Sequence, residues 1–157
     1  RSLLLAAAIL GVSISIASPR GYQIGSDYEA EARGLAESSG AEIVLTDDPT
    51  EAVAESDAVY TDVWASMGQE DSAARRREDF RGYCVDADLM TRAKPTAIFL
   101  HCLPAHRGDE VTDEVIDSAN SIVFDQAENR MWAQMSILSL LCDRAAWETY
   151  AELMEID

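Results

Sequence analysis

Positive charge is scarce in this chain. Twelve Lys and Arg stand against 29 Asp and Glu, Lys94 is the single lysine, and the formal net charge is −17. Such a surface repels phosphates and anionic headgroups, which argues against nucleic acid and acidic membranes as partners. No apolar run approaches the roughly 20 residues that a membrane span needs. Cysteine is also sparse: Cys84, Cys102 and Cys142 are odd in number, widely spaced, and form no C-x-x-C. That pattern is neither a disulfide framework nor a zinc site of ordinary spacing, and it suits a reducing cytoplasm. There is no G-x-G-x-x-G or Walker A run to cradle a phosphate, and no internal repeat, low-complexity tract or linker.

What is present describes one globular domain: 157 residues, 48% of them hydrophobic, enough to bury a core. The acidic residues are spread along the chain rather than gathered in one block. This favours adaptation of the whole surface to high salt over a single acidic docking face. At about 1 M salt the Debye length falls to about 3 Å, so self-repulsion is screened.

Local patterns alternate between helix and strand. Ser2 to Leu10 reads as a buried helix closed by Gly11, and Val12 to Ala17 alternates with period two, as a strand does. A secretion signal would leave that alternation unexplained. Asp27 to Ser38 is helical, and Glu42 to Thr46 extended. Asp48 is an N-cap with Pro49 at the first helical position, opening a helix to about Glu55. Ala58 to Thr61 is a third strand. Helices follow at Ala73 to Phe80 and Tyr83 to Arg92, then a strand at Ala97 to Leu100. Thr112 caps a helix to about Ser118, Ser121 to Phe124 is a fifth strand, and a long helix runs from Gln126 or Ala127 to about Met154. Five short strands alternating with helices predict an α/β fold, a doubly wound Rossmann-like parallel sheet with helices on both faces.

Three stretches place reactive side chains where a strand ends, the edge at which open α/β sheets bind ligands. The first is His101-Cys102-Leu103-Pro104-Ala105-His106-Arg107-Gly108, in which Pro104 stops the strand. His101, His106 and Cys102 could in principle surround a metal, but adjacent His101 and Cys102 point to opposite faces of a strand. His106 and Arg107 read equally as loop-pinning hydrogen bonders. The second is Thr61-Asp62-Val63-Trp64-Ala65-Ser66-Met67-Gly68, with a carboxylate suited to an ammonium. The third is Phe124-Asp125-Gln126-Ala127-Glu128-Asn129-Arg130-Met131. There Arg130 opposes the dipole at the start of a helix, and Asp125 and Glu128 orient it or cap the helix. Arg75-Arg76-Arg77 is the one basic cluster and reads as a solvated face. Trp64, Trp132 and Trp147 read as packing residues.

His-Cys-Leu-Pro followed by Ala-His-Arg-Gly resembles the signature of ornithine carbamoyltransferases, and the other two stretches agree. The resemblance covers nearly the whole chain, as the second, ornithine-binding half of such an enzyme. It implies transfer of the carbamoyl group of carbamoyl phosphate to the δ-amine of L-ornithine, with no metal or organic cofactor. It further implies that Asp62 and Ser66 hold the ornithine α-amino group while Met67 lends its backbone. Cys102 lies between the two substrates, the Leu103 carbonyl accepts from the carbamoyl NH2, and Arg130 binds the carbamoyl carbonyl; His101 supports the loop. Ser-Met-Gly is what separates this reading from relatives using other amine acceptors. The same resemblance implies a preceding central strand and a carbamoyl-phosphate domain, neither of whose loop motifs occurs here, and a trimer or multiple of trimers for the whole enzyme. The chain alone is then expected to be inactive; the alternative is a non-catalytic amino-acid-binding piece, an unstable fragment, or a relative using another amine acceptor.

Overall fold

A computed structural model of the chain describes residues 1–65 and 72–154. The first half opens with helix α1 (Ser2–Leu10), strand β1 (Ile14–Ala17), helix α2 (Ser26–Ser39) and strand β2 (Ile43–Thr46). Strands β1 and β2 pair in parallel, Ile14 opposite Ile43 and Ala17 opposite Thr46. Gly11 ends α1 at φ 71°, a left-handed cap that glycine adopts without a Cβ penalty, and its N–H bonds the Ala7 carbonyl. Leu4, Ala8, Ala32, Ala36 and Ile43 form the core of this half. Helix α1 is one-sided rather than wholly buried: Leu3, Ile9 and Leu10 remain exposed.

Helix α3 (Pro49–Val53) leads to strand β3 (Ala58–Thr61). Asp48 caps α3 as its sequence suggests, its carboxylate accepting from the Thr50 N–H at 2.8 Å. Helices α4 (Ala73–Asp79) and α5 (Ala87–Met90) precede strand β4 (Ile98–His101), which pairs in parallel with β3: Val59 lies opposite Phe99, and Thr61 opposite His101. Phe99, Val59, Val85, Val111, Val115 and Val123 build the second core. Helices α6 (Asp113–Ile116), α7 (Val123–Cys142) and α8 (Arg144–Met154) complete the order.

The architecture is α/β with parallel strands, yet the described strands form two separate pairs rather than one five-stranded sheet. Strands β1 and β3 line a groove of about 450 Å³ between the pairs, with Pro49, Ala52 and Val53 of α3 also at its wall. The expected fifth strand at Ser121 to Phe124 is reduced to one bridge, Phe99 opposite Ser121. The reason is competition for backbone groups. The Ile122 N–H still reaches the Phe99 carbonyl at 3.1 Å, but the Ile122 carbonyl accepts from Gln126 N–H, and α7 has already begun.

Two helices also depart from expectation. Only Ala87–Met90 of Tyr83 to Arg92 is helical, because Val85 bridges Val111 and Asp86 caps the Leu89 N–H at 2.8 Å. The long final helix divides at Asp143, which is extended and whose carboxylate accepts from the Ala145 N–H. Trp64 packs on Phe80 and Trp147 lies against Tyr150, ring centres 5.9 Å apart, although Trp132 and Trp147 remain half exposed, at 51% and 47%. Among the described residues no helix is long and apolar enough to cross a membrane.

Candidate active site

The register of β3 on β4 carries Asp62 and Cys102 out of the sheet side by side. Thr61 and His101 are paired residues, so the next residue of each strand emerges at the same edge. The Cys102 thiol donates to Asp62 Oδ1 at 2.9 Å, and the same oxygen accepts from the Val63 N–H at 2.7 Å. Both side chains are exposed. Partial desolvation at the strand edge raises the Cys102 thiol above its ordinary range, the Asp62 hydrogen bond raises it further, and a hydrogen bond from Tyr60 opposes the rise. Tyr60 is itself pushed strongly upward, first by burial and then by its contact with Cys102.

His101 is the buried counterpart of exposed Cys102, on the opposite side of the strand. Its Nδ1 accepts from the Leu103 N–H at 2.8 Å. A nitrogen that accepts is unprotonated, so in the neutral ring Nε2 carries the hydrogen. That atom lies 3.3 Å from Oε1 of Glu110, a carboxylate with no exposed surface. The same Oε1 accepts from the His106 N–H at 2.6 Å. Glu110 was not visible to sequence reasoning as a site residue: an acid in a chain with 29 of them carries no signal until burial singles it out.

The loop after β4 turns sharply. The Leu103–Pro104 peptide is cis, and Leu103 has φ 52°. A branched side chain in the left-handed region costs about 1–3 kcal/mol and persists only where its surroundings enforce it. Here the bond from Leu103 N–H to His101 Nδ1 and the cradle of Glu110 do so. Among the described residues nothing donates to the Leu103 carbonyl, leaving a fixed acceptor beside Cys102. Arg107 pins the far side of the loop, donating to Asp113 at 2.7 Å and bidentately to Asp117. His106 Nδ1 stands 3.9 Å from Glu110.

The third stretch is placed differently from its sequence reading. Helix α7 starts at Val123, so Arg130 lies beyond the first turn, where the helix dipole no longer opposes it. Its side chain is exposed and makes no hydrogen bond or ion pair with a described residue. Glu128 accepts from the Trp132 indole at 3.2 Å rather than orienting Arg130. Gln126 Oε1 accepts from the His101 N–H at 3.0 Å, tying the start of α7 to the end of β4. Ser66 and Met67 lie outside the described residues.

Residues 1–141 match the family model for the Asp/Orn binding domain of aspartate/ornithine carbamoyltransferases. The chain belongs to this family. An ornithine carbamoyltransferase of Caldicellulosiruptor saccharolyticus is 50% identical over 141 residues, 90% of this chain and 46% of that protein. The solved ornithine carbamoyltransferase of Pyrococcus furiosus superposes with a TM-score of 0.83 at 51% identity, covering 88% of this chain and 44% of its own. The anabolic enzyme of Campylobacter jejuni superposes at 0.86 with 41% identity, over 91% and 47%. The chain thus spans a little under half the length of these relatives.

Proposed function

We propose that this chain is the ornithine-binding half of an ornithine carbamoyltransferase, which transfers the carbamoyl group of carbamoyl phosphate to the δ-amine of L-ornithine, giving citrulline and phosphate. The observation that carries the reading is the Asp62–Cys102 contact at the carboxyl edge of β3 and β4, within the span that matches the family. Asp62 offers a carboxylate to an ammonium, with Ser66 and Met67 in the adjoining stretch. Cys102 and the Leu103 carbonyl, which accepts from no described residue, face the carbamoyl group. Arg130 supplies a guanidinium for charge developing on the carbonyl oxygen as the neutral amine attacks. His101 and Glu110 hold the loop.

The reaction aligns two substrates and stabilises one tetrahedral species, work for which these groups suffice without a metal or organic cofactor. The groove between β1 and β3 supports a further element of the reading. Two parallel edges face it, and an intervening strand from a preceding segment would join the pairs into one Rossmann-like sheet. A carbamoyl-phosphate-binding domain, a trimeric assembly or multiple of trimers, a cytoplasmic setting and a salt-adapted surface belong to the same reading of the whole protein.

Purified chain, assayed with carbamoyl phosphate and ornithine in molar KCl, should form no citrulline. Fused behind the carbamoyl-phosphate half of a relative, it should. A fusion that carbamoylates aspartate or putrescine in preference to ornithine would overturn the acceptor assignment.

A further inference from the structure

We propose that Arg76 is the positioning residue of this site: by tying residue 64 to residue 72 with one guanidinium, it sets where Asp62 stands against Cys102. The three arginines 75–77 do not act as one basic face. Arg75 is 83% exposed and pairs with Asp79 on its own helix, and Arg77 reaches Asp109 at 2.7 Å. Arg76, between them, is half-buried. Its Nη1 donates to the Trp64 carbonyl at 3.0 Å, and its Nε donates to Ser72 Oγ at 3.3 Å. The guanidinium carbon also sits 5.4 Å from the centre of the Tyr22 ring.

In a chain so short of cations, Arg76 has no carboxylate partner among the described residues; it spends its donors on a carbonyl and a hydroxyl. These belong to the two flanks of residues 66–71. Trp64 is held a second time by its stacking on Phe80 at 5.6 Å. Asp62 lies two residues before Trp64, and its Oδ1 accepts both the Val63 N–H and the Cys102 thiol. The orientation of that carboxylate therefore follows the backbone of 62–64, which Arg76 fixes. Only a planar fork reaches both flanks at once; an ammonium on a flexible stem satisfies one of them. The consequence for an acceptor amine rests on the reading proposed above, but the geometry at Cys102 does not.

The test is the pH profile of Cys102 alkylation by iodoacetamide, read by mass in the full chain carrying Cys84→Ser and Cys142→Ser. Arg76→Gln and Arg76→Lys should both loosen the Asp62 contact that raises the thiol. Their profiles should shift to lower pH and their rates at pH 8 rise about threefold or more, as a shift of half a unit requires. Arg75→Gln, on the same helix, should match the parent. An Arg76 variant that melts like the parent with an unmoved profile overturns the proposal. Loss of the fold in both Arg76 variants also overturns it, by assigning Arg76 to general stability. Failure of the ornithine reading would leave the alkylation result unaffected.

Discussion

Asp62 and Cys102 are forty residues apart in the chain and 2.9 Å apart in space. Parallel pairing of β3 with β4 brings them together, and the thiol is the donor. The carboxylate disfavours the thiolate, whereas the Tyr60 hydroxyl favours it. Two substitutions should therefore move Cys102 in opposite directions. Asp62→Asn removes the neighbouring charge and should lower the pH at which alkylation becomes fast. Tyr60→Phe removes a donor and should raise it. Alkylation rates between pH 7 and 10 check both signs, and a common direction would contradict the hydrogen bonds described.

In a protein completed with the carbamoyl-phosphate half, Asp62→Asn should raise the KM for ornithine far more than that for carbamoyl phosphate. Removing one partner of a desolvated charge pair costs about 2–5 kcal/mol. Cys102→Ala should disturb both substrates, because the proposed reading places that side chain between them. Arg130→Lys should chiefly lower kcat, since a point charge cannot reproduce the fork. Steady-state kinetics of the three variants against both substrates separate these roles.

Glu110→Ala should be among the most destabilising changes in this half of the chain. It leaves the His106 N–H without its acceptor and empties a fully buried position beside His101. A loss of about 3 kcal/mol is expected. Glu110→Gln keeps an acceptor oxygen and should cost much less. Urea unfolding of the two variants gives the comparison.

Stability should also depend on salt. With a net charge of −17, raising KCl from dilute to molar concentration should screen self-repulsion and raise the melting temperature. Thermal melts across that range measure it, and a flat or falling midpoint would remove the case for salt adaptation.

How much was legible in advance differs from residue to residue. Ala58 to Thr61 was readable as a strand to the residue, because its signals are local: β-branched and aromatic residues beyond an N-capped helix. Asp48 with Pro49, and Gly11 after α1, were readable for the same reason. The position of Cys102 just past a strand end followed from Pro104. The fifth strand did not survive, because Ile122 had to choose between extending a ladder and starting α7, and that choice depends on what Val123 finds to pack against.

By itself the sequence determined the alternation of elements, the strand-end placement of Asp62 and Cys102, and the excess of negative charge, since each depends on residues within a turn or two of one another or on composition alone. Only the tertiary structure decided that Asp62 meets Cys102, that Glu110 of all the acids is buried against His101, and that Arg76 rather than its neighbours ties Trp64 to Ser72. Those relationships are made between residues distant in the chain. Strand register and helix packing bring such residues together, and neither is written in any local stretch.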